Sequence, residues 1–218
     1  MIGFRDISEL ASLLSYWLNP VDSKSPDTIT LHGYVDSGRS MNALGHHLTQ
    51  TGRVVRNLNY PFQQDLKKTA CTLSEDVKRI VDEIAKPIDI VTHSMGGVVA
   101  IEMAQKIPTY FGKVVLLGVP YRGTWVAAMN NAIPLLNRLT PSSGQMTPCS
   151  KYLAELAEGG FPEDVSFFSV YSTDDKIIPV DSSRLPERAN TYNIEISGVG
   201  HWGLIGPKNY SLVRKILE

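Results

Sequence analysis

The stretch Ile88-Asp89-Ile90-Val91-Thr92-His93-Ser94-Met95-Gly96-Gly97-Val98-Val99-Ala100-Ile101-Glu102-Met103-Ala104 passes from an apolar strand-like run, through a tight turn, into a helix-like run. A strand that reverses into a helix within a few residues forces its turn residue into a strained conformation and lifts that side chain clear of the sheet. Here the lifted residue is Ser94. Gly96 and Gly97 let helix and strand approach closely and leave room for a substrate carbonyl. The positive end of the following helix favours an oxyanion at the same point. The segment therefore predicts a parallel α/β sheet and nominates Ser94 as a nucleophile.

Working outward, short apolar strands alternate with longer amphipathic segments, the pattern of a mainly parallel sheet with helices on both faces. Strands are expected near Thr28–Leu31, Val54–Leu58, Ile88–Val91, Val114–Leu117, Val165–Tyr171 and Thr191–Ile196. Helices are expected over Met41–Thr51, Leu73–Ala85, Met95–Lys106 and Asn209–Leu217, where apolar residues recur at three- and four-residue steps. Met1–Leu18 has the spacing of an amphipathic helix, and Asn19–Pro26 reads as a linker. The interval between Leu117 and Val165 is too long for a simple βα connection. Pro134, Pro141 and Pro148 cut it into short pieces, and its aliphatic side chains suit a small helical cap, an insertion over about residues 120–160.

With 218 residues, a single domain spanning 1–218 is expected. The 21 basic and 22 acidic residues give a formal net charge of −1, which provides no electrostatic case for nucleic acid or an anionic membrane surface. Cys71 and Cys149 lack the neighbours of a metal or redox motif, and neither metal nor cofactor is expected. No stretch approaches the roughly 20 apolar residues of an integral membrane segment. The N-terminus shows no clean secretory signal, so a cytoplasmic location is the default and secretion stays open.

A serine hydroxyl needs a base, normally a histidine held by a carboxylate. His46 and His47 fall in a surface helix and read as solvated. His93 adjoins Ser94, and neighbouring residues on a tight turn diverge. His32 belongs to a different element. His201, in Gly198-Val199-Gly200-His201-Trp202-Gly203, follows the last strand on a loop able to reach across the sheet ends. Asp174 and Asp175 follow the fifth strand, and on the residues alone either carboxylate serves to orient His201; both loops lie at carboxyl strand ends, where α/β sheets build their sites. Leu31-His32-Gly33-Tyr34 ends the first strand in a turn that aims the Tyr34 amide inward. The Met95 amide, at the start of the helix, makes a second oxyanion donor.

Together these elements resemble the α/β-hydrolase fold family, and within it the small bacterial lipases and lipase-like carboxylesterases. The resemblance runs from Thr28 to the end of the chain. It rests on His32-Gly33, on Val91-Thr92-His93-Ser94-Met95-Gly96-Gly97, on Gly118-Val119-Pro120-Tyr121-Arg122-Gly123-Thr124 and on Gly198-Val199-Gly200-His201. The order Ser94, Asp175, His201 is the family's order. Similar lipases place the acid two residues before a short aliphatic-aliphatic-proline stretch, which selects Asp175 over Asp174. One departure is Thr92, where the usual motif has glycine; its branched side chain is expected to crowd the adjacent helix. Another is length, since only six strands fit, so the resemblance implies a reduced version without the family's opening antiparallel hairpin.

The expected activity is hydrolysis of carboxylic esters through an acyl-enzyme, on small-molecule substrates with an apolar acyl chain. Leu135, Leu136 and Trp202 are expected to bind substrate, and the protein is expected to be a monomer or weak oligomer. The same triad serves a thioesterase, an amidase or an acyltransferase, and a catalytically idle binding protein is the reading from a different class.

Overall fold

The computed structural model describes residues 21–131 and 139–218. Six strands form one sheet: β1 (Thr28–Leu31), β2 (Val55–Leu58), β3 (Ile88–His93), β4 (Phe111–Leu117), β5 (Ser166–Ser172) and β6 (Thr191–Ile196), in the order β2-β1-β3-β4-β5-β6. Every neighbouring pair is parallel. The chain winds from β1 outward to β2 and then returns to β3 on the other side of β1. The sheet therefore switches direction between β1 and β3, and such a switch opens a crevice at the carboxyl strand ends.

Both faces of this sheet are buried, so alternate residues of one strand feed opposite cores. On β3 and β4, Ile88, Ile90, Val114 and Leu116 pack into one core. Val91, Val115 and Leu117 pack into the other. The first core is closed by α2 (Leu66–Ile84) and α3 (Met95–Lys106), the second by α1 (Asn42–Gln50) and the C-terminal helix α8 (Tyr210–Leu217). Among the described residues, three short helices lie between β4 and β5, α4 (Trp125–Asn131), α5 (Pro141–Gln145) and α6 (Lys151–Gly159), and α7 (Val180–Ser183) follows β5.

Three expectations need correction. The helix expected to open at Leu73 opens at Leu66, because the Asp65 carboxylate caps it by accepting the Lys68 amide at 3.0 Å. Its buried series, Leu66, Ala70, Leu73 and Val77, starts about two turns earlier than predicted. The segment read as a linker in fact pairs with β2: the Asn57 amide donates to the Val21 carbonyl and the Ser23 amide to the Val55 carbonyl. Val21 is buried, and the sheet edge that β2 would expose is covered. His46 and His47 are half-buried rather than solvated, and the His47 ring leans on Tyr210 of α8 at 4.9 Å. Thr92 is fully buried, and its hydroxyl donates across to the Val115 carbonyl at 3.1 Å, so the side chain that replaces the usual glycine supplies an interstrand bond. Met1–Leu18, Leu135 and Leu136 lie outside the described residues.

Candidate active site

Ser94 is the last residue before α3, with φ 52° and ψ −122°. A side chain held there costs on the order of 1–3 kcal/mol and survives only where its surroundings over-determine it. The surroundings are backbone. The Ser94 amide donates to the Leu117 carbonyl at 2.9 Å, and the Gly97 amide to the Ser94 carbonyl at 2.9 Å. A Cβ at Gly96 would stand 2.7 Å from the His32 carbonyl oxygen, and one at Gly97 2.8 Å from Val119. The helix can start this close to β1 and β4 only with glycine at both positions. Met95 is the first helical residue, so its N–H has no acceptor within the helix and faces outward from the positive end.

Asp175 and His201 come from loops after β5 and β6. The Asp175 Oδ2 and the His201 Nδ1 are 2.7 Å apart, with both side chains almost fully buried, at 1% and 4% exposure. The other carboxylate oxygen accepts the Ile177 amide at 2.8 Å and the Ile178 amide at 2.9 Å. Burial alone would push this carboxyl up, but the His201 hydrogen bond, its charge and the two amides hold it below its usual range. An ionised carboxylate only accepts, so His201 carries its proton on Nδ1 and turns the Nε2 lone pair away from Asp175. Asp174 has different work: its Oδ2 accepts the Gly198 amide at 2.7 Å, and Lys208 donates to the Gly198 carbonyl at 3.2 Å. The Ser172 hydroxyl ties down the Val199 carbonyl at 2.6 Å. The loop that carries His201 is thus clipped at two consecutive residues.

Ser94 and His201 both lie next to the Leu117–Gly118 segment. Ser94 is bonded to Leu117, and a Cβ on the next residue, Gly118, would stand 3.3 Å from the His201 ring. His93, dismissed above as a base, bonds His201 directly. Its Nε2–H donates to the His201 carbonyl at 3.1 Å, and the two rings lie 4.6 Å apart. Full burial first, and then the charge of His201, push the His93 pKa down to about 3, so it stays neutral across the working range and acts as a fixed donor. Its contact spans 108 residues of sequence, and no local pattern announces it.

His32 fixes the first turn in a similar way. The Tyr60 amide donates to His32 Nε2 at 3.3 Å, so the ring proton sits on Nδ1 and is donated to the Gly33 carbonyl at 2.9 Å. Burial lowers the pKa of this imidazole and keeps it neutral. Because the peptide is trans, holding the Gly33 carbonyl on the His32 side turns the Tyr34 N–H to the opposite side. The residue after Tyr34, Val35, is a second strained position, with φ 53° on a β-branched side chain.

Tyr34 and Ser94 open on a cavity of about 50 Å³ whose other walls are mostly apolar side chains of the β4–β5 insertion and of Ile177 and Ile178, with the Thr124 and Ser143 hydroxyls among them. Trp202 is half-exposed, and its ring lies 5.9 Å from that of His201. Of the sequence-predicted site residues, the structure gathers Ser94, Asp175, His201, Tyr34, Met95 and Trp202 at the carboxyl ends of β1, β3, β5 and β6. No helix among the described residues is long and apolar enough to cross a membrane.

No protein-family model and no curated protein sequence matches the chain. Solved structures do. Mature lipase BlEst2 of Bacillus licheniformis superposes with a TM-score of 0.73 at 14% identity, over 92% of this chain and 94% of that one. Lipase B of Aspergillus fumigatus gives 0.71 at 18% identity, over 86% of this chain and 51% of its own length. A monoacylglycerol lipase of Paleococcus ferrophilus gives 0.66 at 14% identity, over 88% and 93%. At these identities the likeness speaks for architecture alone, and that architecture is the α/β-hydrolase fold.

Proposed function

We propose that the protein is a serine hydrolase that cleaves carboxylic esters with an apolar acyl group through an acyl-enzyme. One observation carries the reading: a buried Asp175–His201 contact of 2.7 Å that leaves the imidazole Nε2 as an acceptor, in a site whose serine is held at a strained helix start. The similarity to lipases from three organisms supports the same class.

In this mechanism the Ser94 hydroxyl gives its proton to His201 Nε2 as its oxygen attacks the ester carbonyl carbon. The carbonyl electron pair becomes an oxyanion facing the Tyr34 and Met95 amides. On collapse the alkoxide leaves with the proton from His201, and the acyl group remains on Ser94. Water then adds to the acyl carbon, with His201 taking its proton, and the second collapse returns that proton to Ser94 and releases the acid. Asp175 holds the imidazole in the required tautomer throughout and stabilises its charged form.

Labelling with a fluorophosphonate followed by peptide mapping tests the reading, since that reagent modifies only an activated serine. The expected adduct is on Ser94. The Ser94→Ala variant should keep its circular dichroism, take no label and lose about 10⁴-fold or more in ester turnover. An unlabelled Ser94 in folded protein, or hydrolysis persisting in the variant, rejects it.

A further inference from the structure

The cavity beside Ser94 is small and carries no histidine in its walls. Its volume is about 50 Å³, whereas pockets that enclose drug-sized ligands measure roughly 300–1,000 Å³. One water-sized group occupies about 10–15 Å³ on the same measure, so the cavity admits roughly three to five heavy atoms in line. Its inner wall is made of buried side chains, Thr124, Ala127, Ser143, Met146 and Ile178. The two hydroxyls there are already committed: Thr124 donates to the Ile177 carbonyl at 2.6 Å and Ser143 to the Ala127 carbonyl at 3.4 Å. What the cavity offers a ligand is therefore hydrocarbon.

Which half of an ester enters it follows from where the protons go. The leaving alcohol oxygen must be protonated by His201 and so must lie against that ring. A cavity that touches Ser94 and Tyr34 but not His201 faces the other substituent of the carbonyl carbon, the acyl chain. The alcohol side lies toward His201 and its neighbour Trp202, which is 52% exposed, and among the described residues no comparable wall closes it.

Building on the ester-hydrolase reading, we propose that this cavity is the acyl pocket and limits the enzyme to short unbranched acyl groups of up to about four carbons, with Met146 and Ala127 setting the limit. The site discriminates on the acid side and is tolerant on the alcohol side.

The experiment is a series of p-nitrophenyl esters with a constant alcohol: acetate, butyrate, octanoate and palmitate, assayed as kcat/KM below their solubility limits. Acetate and butyrate should be the best substrates, with at least about a tenfold fall by octanoate, because extra methylenes find no room. Met146→Ala, which removes the thioether arm from the inner wall, should raise the octanoate-to-butyrate ratio at least about fivefold. Ala127→Val should act in the opposite sense and penalise butyrate against acetate. A parent enzyme that prefers octanoate or palmitate overturns the proposal while leaving the hydrolase reading intact. So does a chain-length profile that Met146→Ala leaves unchanged. Absence of hydrolysis across the whole series, together with an unlabelled Ser94, removes both.

Discussion

The serine turn and the insertion above it are held in place by opposite means. Around Ser94 the constraints are backbone: two amide–carbonyl bonds, two glycines packed against strand atoms, and a φ angle that only the β3–α3 geometry enforces. The insertion between β4 and β5 is attached mainly by side chains that reach backbone. Gln145 accepts the Leu66 amide at 2.8 Å and donates to Asp65 at 2.8 Å, so it completes the N-terminal cap of α2 from outside. Gln105 donates to the Leu156 and Gly160 carbonyls at 2.8 Å. Ser142 bonds the Phe62 carbonyl and the Ser182 hydroxyl the Gly123 carbonyl. The difference separates two tasks. The proposed catalytic groups are fixed by elements no single side chain can release, and the walls of the proposed acyl pocket hang on replaceable ones.

The sharpest way to test this contrast is on the acid side, where adjacent carboxylates have unlike partners. Asp175→Asn should lower kcat by about 10⁴-fold, because the imidazole loses the acceptor that sets its tautomer. Asp174→Asn should cost less than about tenfold, since it loosens only the clip on Gly198. Asp175 also contributes a pH dependence of stability. The Asp175 carboxyl is depressed in the folded state, so its contribution is present above its ordinary value of 3.8 and is lost as pH falls below it. Melting temperatures between pH 6 and 3 should show a shallower acid decline for Asp175→Asn than for the parent. Equal kinetic losses in the two variants would break the assignment.

A smaller effect is expected from His32, which touches no reacting atom but holds the Gly33–Tyr34 peptide. His32→Ala should reduce kcat about 100-fold with KM changed little, the size seen when one oxyanion donor is misdirected. His32→Asn, whose amide nitrogen can replace Nδ1 as donor to Gly33, should recover a good part of that loss. If alanine and asparagine fail alike, or if KM alone rises, the ring is packing rather than positioning.

On the insertion side, Gln145→Ala should cost about 1–2 kcal/mol of stability, the penalty for one amide and one carboxylate oxygen left without their partner. Acetyl-ester turnover should remain within about threefold while the butyrate-to-acetate ratio changes, because the anchor holds the selecting wall and not the nucleophile. A loss of acetyl turnover matching that of Asp175→Asn would erase the distinction between the regions.

The weakest effect tests strain near the catalytic backbone. Val35 is 65% exposed at φ 53°, so Val35→Gly gives up little burial. Relief of strain worth about 1–3 kcal/mol should outweigh the added freedom of the unfolded chain, about 0.4–1 kcal/mol. Chemical denaturation should show a gain of roughly 1 kcal/mol and only a modest fall in kcat. A loss of stability would mean that the turn is not strained.

Much of this was legible in the sequence because it is local. The alternation of apolar runs with three- and four-residue periodicity fixes strands and helices within a few residues, and the run from Ile88 to Ala104 already requires a serine at a strand–helix turn flanked by close-packing glycines. Where local reading failed, the missing information was a contact. The start of α2 was signalled only by the cap Asp65, and the residues before β1 look like a linker until β2 is placed beside them. The resemblance to similar lipases already favoured Asp175 over Asp174; the tertiary structure alone decided that His93 bonds the His201 backbone, that His32 orients the next peptide, and that the cavity at Ser94 is small. Each depends on atoms brought together across loops whose sequence encodes turn chemistry but not distance. A periodic pattern states which face of an element is apolar; which partner that face or loop meets is set only when the sheet order is chosen and both cores are filled.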